Sequence, residues 1–408
     1  YERCYRAYER VFSRAGARNV IGVLSDSGMM GGSISHEFML LTPIGEDTLI
    51  VCDQCGFQAN LEAAPCVTDN AGLKAVEPLT KVATPEMATI EDVTSFLHGD
   101  ALHACKAVVY QKNSDDAFVI VFLRGDREVN ETKLQNYLRE EVHPGKIDAD
   151  SGIVAGFIGP KGLAAKNATV LFDRSLEGIG SLVCGANEKD YHYTGFNMDR
   201  DYGKVEYIDL AKAVSGGVCP VCGKPSLAVS NGIEVGNIFQ LGTKYTKSMH
   251  MQYIDEKGEL HYPIMGCYGI GVGRLCASVC EESHDEYGPI WPISIAPWEA
   301  HICCLRPDQG DTAEVANTLY GDLTKEGVET ILDDRSISAG IMFSEADLMG
   351  VPIRITVSPR NLKEGVVELT TRDKSVSRKV PVAEAVEAVK ALKRELFEAI
   401  GANVLPRK

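Results

Sequence analysis

"IMGCYGIGVGRLCASVCEE", Ile264 to Glu282, sets four glycines ahead of an arginine and a helix-forming run. The pattern reads as strand, tight turn, helix. Gly269, Gly271 and Gly273 stand at alternate positions, which strips Cβ atoms from one face of the backbone and lets a flat ligand approach it. Arg274 then projects a planar fork of donors suited to phosphate. The stretch is not a Walker loop, which needs Gly-Lys-Ser/Thr, nor a dinucleotide fingerprint, whose glycines are spaced otherwise. Taken alone it also fits small residues that pack a helix on a sheet, so its neighbours have to decide.

The surrounding 408 residues are 45% apolar and 24% charged, the profile of a soluble globular protein of roughly two to four domains. No apolar run approaches the roughly 20 residues that cross a bilayer, and the start does not read as a signal peptide, so the expectation is a cytoplasmic protein with no membrane partner. A formal charge of -16 argues against undirected polyanion binding and leaves nucleic acid to a local basic patch. Thirteen cysteines in such a chain favour reduced thiols or metal ligands over a disulfide framework. Cys52-Asp-Gln-Cys55 and Cys219-Pro-Val-Cys222 are both knuckle spacings, in which a short turn aims two thiolates at one ion. Together they make either one structural Zn2+ site with no open coordination position or four free thiols.

Upstream of the opening stretch, alternation around Gly22 to Leu24 and Glu37 to Leu41 predicts strands flanking the small-residue loop "SDSGMMGGSISHEF". From Cys66 to Lys212 the pattern is a self-contained α/β segment. It has a helix near Thr89 to Leu97, strands at "KAVVY" and "AFVIVFLRG", a helix from Glu131, the loop "GFIGPKG" and the strand "ATVLFD". The two cysteine pairs bracket this segment, as they would an insertion into a host domain. "GIEVGNIFQLG" follows as a strand, with polar Glu234 and Asn237 on one face and Val235 and Ile238 on the other. Beyond "WPISIAPWEAHICCL" the chain alternates as a βαβαβ-like unit: a helix over Thr312 to Glu326, strands at "ETILDD" and "IRITVS", a helix around Phe343 to Met349, and a last helix from Val382.

"MGCYGIGVGRL" and "GIEVGNIFQLGTKY", with "DSGMMGGSISHEF", "VFLRGDREVNETKL", "CGANEKDYHYTG" and "DLMGVPIRI", resemble the bacterial-type prolyl-tRNA synthetase family, in that family's order and over essentially the whole chain. The resemblance implies an α+β class II synthetase fold. Its partial antiparallel sheet would lie in residues 1–65 and 213–298, its inserted α/β editing domain in 66–212 and its α/β anticodon-binding domain in 299–408. The implied partners are proline, ATP with Mg2+ and the proline tRNA, and the implied assembly is a homodimer in the full-length protein.

By this resemblance the opening stretch is motif 3, and Arg274 grips the γ-phosphate of a bent ATP. Glu234, Asn237, Gly271 and Gly273 would complete the nucleotide site, although relatives commonly carry His where this chain has Asn237. Phe239 and Cys267 would line the proline pocket, with Ser35, His36 and Glu37 near the substrate amine. Cys267 is read as a packing thiol and not a nucleophile. The insertion would clear alanine wrongly attached to the proline tRNA, since a pocket sized for proline rejects a smaller side chain by only about 1–3 kcal/mol. Lys106, Asp173 and His192 match positions associated with that editing, and Gly156, Gly159 and Pro160 form a loop of backbone donors. Arg335, Arg354, Arg360 and Lys363 are candidate contacts to the anticodon loop, whose unpaired bases can be splayed and read. Ile341-Met342 stands where many relatives place a lysine.

Motifs 1 and 2 of the class would precede Tyr1, so these 408 residues by themselves are expected not to form prolyl-adenylate. Two other readings follow from the same features: a non-catalytic tRNA-binding paralogue, and a stand-alone deacylase working through Lys106 and His192.

Overall fold

The computed structural model describes residues 1–402, so residues 403–408 of the expected anticodon-binding domain lie outside the described residues. The chain divides into two compact units. One comprises Tyr1–Gly22, Gly31–Glu46 and Gly232–Lys408, the other Val23–Met30 and Asp47–Asn231. Among the described residues no helix is long and apolar enough to cross a membrane.

In the first unit the helix Glu2–Ala15 places Tyr1, Tyr5, Tyr8 and Phe12 on one stripe. Glu2 in its first turn and Arg14 in its last complement the helix dipole. Gly16 ends it at φ 88°, a left-handed residue in a place where a Cβ would stand 2.4 Å from Pro292 Cγ. The stripe covers an antiparallel ladder in which Leu227–Gly242 pairs with Ser35–Leu41 on one side and with Met265–Ile270 on the other. Phe38, Leu40, Val235, Ile238 and Val279 fill the space beneath the helix with Tyr8 and Phe12.

The same unit carries a five-stranded sheet in the order Thr330–Asp333, Ala300–Cys304, Ile353–Val357, Val366–Thr371, Ser377–Pro381. The first three strands are parallel and the last two join antiparallel. The alternating reading of the sequence omitted those last two. Val366–Thr371 has the period-2 burial of a strand with one face in the core, and the hairpin around Asp373 and Lys374 returns it antiparallel, so the unit is mixed and not purely alternating. Arg372, 4% exposed, holds this sheet's hairpin through a two-pronged ion pair of 2.7 and 2.6 Å to Asp285, which keeps the Asp285 carboxyl far below the usual carboxylate range.

The second unit is built on a five-stranded sheet ordered Tyr207–Ile208, Ala168–Asp173, Phe118–Arg124, Cys105–Lys112, Val142–Pro144. Its central strand Phe118–Arg124 is buried along its whole length, because a separate apolar cluster covers each face. A three-stranded sheet of Leu182–Gly185, Tyr191–Phe196 and Thr80–Ala83 accompanies it.

Candidate functional site

The polar face in the first unit depends on one irregularity. Glu234 and Asn237 are three residues apart, and regular alternation would send them to opposite sides of the strand. The pairing steps from Glu234 opposite Met39 to Gly236 opposite Phe38, a bulge that leaves one residue extra and reverses the parity. Glu234 and Asn237 therefore share a face, and Asn237 Nδ2 donates to Glu234 Oε1 at 2.7 Å. Val235 and Ile238 share the other, buried under the opening helix. Cross-strand register adds Glu37 opposite Asn237, Ser35 opposite Phe239, Cys267 opposite Phe239 and Gly269 opposite Asn237 to the polar face.

His36 falls on the other side, between Ser35 and Glu37 in sequence and hence pointing away from both. Its Nδ1 meets Tyr1 Oη at 2.7 Å and its ring stands edge-on to Tyr5 at 5.3 Å, with burial pushing its pKa down. The expectation that His36 accompanies Ser35 at a substrate amine is corrected accordingly: it is a packed histidine under the opening helix.

At the end of the strand Met265–Ile270, Gly271 caps the helix Val272–Glu282 and donates its N–H to Val235 O at 3.1 Å. Arg274 lies half exposed, donating from Nη1 to Glu234 O at 3.2 Å. The Glu46 and Glu234 carboxylates stand at 3.8 and 4.0 Å from it, contacts too long and too wet to lock the guanidinium. A Cβ at Gly273 would meet nothing within 4 Å, and one at Gly271 only loose neighbours, the Cβ of Arg274 at 3.4 Å and Val235 O at 3.9 Å, so the backbone here is open on one side. A guanidinium, an amide and carboxylates around a bare turn can bind a phosphorylated ligand.

In the second unit a cavity of about 200 Å³ is lined by Ile90 and Val93, by Lys106 beside Cys105, by Gly156 and Ile158, and by Cys184 and His192. Its walls are mostly short apolar side chains, with Thr89 at the start of the helix Ile90–Phe96, and Lys106 and His192 reach it from different strands. His192, 5% exposed, holds Thr84 Oγ1 by Nδ1 at 2.7 Å, which fixes the ring. Burial lowers the pKa of His192 and, chiefly by burial, that of Lys106. Thr84, fully buried, has no signal in the sequence and was missed; Ile90 and Val93 read only as helix.

Asp173 does not reach this cavity. One carboxylate oxygen accepts from Ser175 N at 2.8 Å and the other from Leu210 N at 2.7 Å, so it ties the end of one strand to the start of the next connection. Gly156 lines the cavity, whereas Gly159 and Pro160 do not. The Gly159 amide, expected as a free donor, is taken by Asn187 Oδ1 at 3.1 Å, while Asn187 Nδ2 donates to the carbonyls of Gly159 and Lys161 at 2.9 Å each. Asn187 thus pins the loop from a left-handed conformation of φ 53° that asparagine tolerates.

The basic residues expected at the anticodon loop separate into two kinds. Arg335 is engaged with Asp333 and Glu345, and Arg354 donates to Asp347 at 2.8 Å beneath the ring of Phe343. Arg360 and Lys363 are exposed on the short helix Pro359–Lys363. The sulfurs of Cys52, Cys55, Cys219 and Cys222 all lie within 4.8 Å of one another.

His192 and His301, 5% and 3% exposed, both have pKa values lowered by burial from 6.5. The unfolded chain therefore takes up protons first as pH falls. Stability from this source is complete above 6.5 and is lost below it, at up to about 1.4 kcal/mol per pH unit for each histidine. Urea midpoints at pH 5.5 are expected below those at pH 7.5; equal midpoints would contradict the buried neutral state.

Residues 84–201 match the aminoacyl-tRNA editing domain family and residues 299–392 the anticodon binding domain family. Among curated relatives, "Proline--tRNA ligase" of Caldicellulosiruptor saccharolyticus is 39% identical over 394 residues, 95% of this chain and 68% of that protein. The ligase of Caldicellulosiruptor bescii is 41% identical over 97% of this chain and 68% of its own length, and that of a Sulfurihydrogenibium species 42% identical over 94% and 67%. A solved prolyl-tRNA synthetase from Cryptosporidium parvum, complexed with L-proline and AMP, aligns at 22% identity and a TM-score of 0.38 over 41% of this chain and 37% of that one, a likeness too slight to carry an argument. At 39 to 42% identity over nearly its whole length, with an editing and an anticodon-binding domain in that order, this chain belongs to the bacterial-type prolyl-tRNA synthetase family.

Proposed function

We propose that the two polar sites divide the family's work. The face around Arg274 serves ATP-dependent attachment of proline to its tRNA through prolyl-adenylate, and the cavity around Lys106 and His192 serves hydrolysis of misattached alanine. The observation that carries the reading is the bulge before Gly236, which turns Glu234 and Asn237 onto one face, with Arg274 beside Glu234.

Attack of the proline carboxylate on the α-phosphorus piles negative charge on the departing pyrophosphate. Arg274, preplaced and weakly paired, offsets that charge at the γ-phosphate. Gly271 and Gly273 leave the backbone bare for the nucleotide, with Asn237 and Glu234 directed to its polar edge. The Glu234 carboxylate is a hard oxygen donor of the kind that would hold Mg2+. Mg2+ brought with ATP would supply further charge neutralisation at the phosphates. Phe239 and Cys267, neighbours across the ladder, offer the pyrrolidine ring an apolar wall, and Ser35 and Glu37 the substrate amine its polar one.

In the second unit, the short side chains around the cavity suit a methyl group. Lys106 attracts the terminal phosphate of the tRNA, and His192, held neutral by burial and fixed by Thr84, orients the ester or the attacking water. Asp173 is a positioning residue in this reading, and Gly159 and Pro160 shape the loop that Gly156 presents. Arg360 and Lys363 are the favoured anticodon contacts, with Arg335 and Arg354 engaged elsewhere. We extend the reading to the boundaries 66–212 and 299–408 for the inserted and anticodon-binding domains, to a homodimer, and to the cytoplasm, on family membership.

Two assays on the ligase that contains this chain test it: charging of proline tRNA with proline, and deacylation of alanyl-tRNA carrying the proline anticodon. Both activities are expected. Deacylation without charging would favour the stand-alone deacylase, and neither would favour a tRNA-binding paralogue.

A further inference from the structure

We propose that Cys52, Cys55, Cys219 and Cys222 bind one Zn2+ in a closed tetrahedral site that clamps the two chain crossings at the root of the inserted segment. The sulfurs come from two turns about 164 to 170 residues apart in sequence. Cys52 Sγ lies 3.8 Å from Cys222 Sγ, and Cys55 Sγ lies 3.6 Å from Cys219 Sγ. A tetrahedron with Zn–S bonds of about 2.3 Å has edges of about 3.8 Å, whereas a disulfide needs about 2.05 Å. All four cysteines are free thiols.

The two turns are built alike, in their backbone as well as around the sulfurs. Gln54 N donates to Cys52 Sγ and Val221 N to Cys219 Sγ, each at 3.4 Å. Gly56 N donates to Cys52 O at 3.3 Å and Gly223 N to Cys219 O at 2.9 Å. Cys52 N donates to Phe57 O and Cys219 N to Lys224 O, both at 2.8 Å. Gly56 and Gly223 both take the left-handed conformation, at φ 73° and 71°. Amides aimed at the first sulfur of each pair stabilise negative charge there, which is what a thiolate ligand carries and a buried thiol does not. Two turns separated by the whole insertion have no reason to repeat this geometry around one point unless something sits at that point.

The packing supplies the reason for a clamp. The buried local core consists of Ile50, Cys52, Ala59, Ala64, Ala213, Cys219 and Leu227, with Phe57, Leu61 and Cys222 packed against it only partly buried. Three of the seven buried side chains are single methyl groups, so little apolar area is available to close so long a loop. Four thiolates leave no position for water or substrate, so the ion is structural and takes no part in either proposed reaction. The assignment stands or falls separately from them.

The test uses the intact protein, purified under reducing conditions after growth with added zinc. Elemental analysis is expected to give about one zinc per chain. Replacement by Co2+ should produce the intense visible bands of a tetrahedral tetrathiolate. Cys55→Ser, at an exposed position chosen because burial at Cys219 threatens folding, should lose most of the zinc and those bands, while Cys276→Ser, an exposed cysteine elsewhere, should keep both. Chelator should lower the melting temperature of the parent protein by roughly 5 °C or more and leave Cys55→Ser unmoved. Protein without zinc, protein with iron in its place, Co2+ without tetrahedral bands, or Cys55→Ser with undiminished zinc overturns the proposal.

Discussion

Replacing Arg274 with alanine in the ligase is expected to lower the rate of proline-dependent pyrophosphate exchange by about 10²- to 10³-fold, the cost of removing one preorganised donor aimed at developing charge. The fold should survive the change. The side chain is half exposed, and its two carboxylate contacts at 3.8 and 4.0 Å are worth at most about 1 kcal/mol. Deacylation of alanyl-tRNA, which the reading assigns to the other unit, should be unaffected. Arg274→Lys retains the charge but not the planar fork and should fall between the two. Wild-type exchange in the alanine variant would remove Arg274 from the nucleotide site, whereas loss of both activities together would indicate a folding defect.

Gly159→Ala should do the converse. A Cβ there would stand 1.7 Å from the carbonyl oxygen of Gly185 and 2.7 Å from its carbon, and both belong to backbone that no rotamer change can move aside. Opening the contact also strains the Asn187 clamp on the same loop. Overpacking of this type costs about 1–3 kcal/mol, and here the displaced loop carries Gly156 and Ile158 of the cavity wall. Alanyl-tRNA deacylation is expected to drop at least about 10-fold with pyrophosphate exchange unchanged. Gly162→Ala is the control. Its φ of 74° makes the substitution mildly strained, but nothing lies within 4 Å of the new methyl group, so deacylation should stay close to the parent value. Equal losses from both variants would mean that loop strain, and not the Gly185 contact, controls the cavity.

Much of the architecture is legible in the sequence. The strand, turn and helix at Met265–Glu282 follow from glycine spacing and an apolar period, and the central strand Phe118–Arg124 announces itself as a continuous apolar run buried on both faces. The knuckle spacing of the four cysteines is local and therefore readable. Less legible was which side each residue faces. The family resemblance groups His36 with Ser35, yet adjacency on a strand means opposite faces. The family resemblance puts Asp173 among the editing positions, and only the positions of Ser175 N and Leu210 N show that both its oxygens are spent on backbone. The strands Val366–Thr371 and Ser377–Pro381 fall outside an alternating helix and strand pattern, because a local hairpin adds them antiparallel with no helix between them.

Residue chemistry and local spacing were settled by the sequence alone: a guanidinium behind a bare turn, two thiol knuckles, a small-residue loop, and the order of the domains. Tertiary structure alone decided the convergence, because it depends on register between segments far apart in the chain. The shared face of Glu234 and Asn237 expected from the sequence is what the structure shows, but plain alternation would separate residues three apart, and it is the single extra residue at Val235 that reverses strand parity and brings Glu234 to Asn237. Tertiary structure likewise decided that Thr84 stands behind His192 and that sulfurs 164 residues apart meet at 3.6 Å.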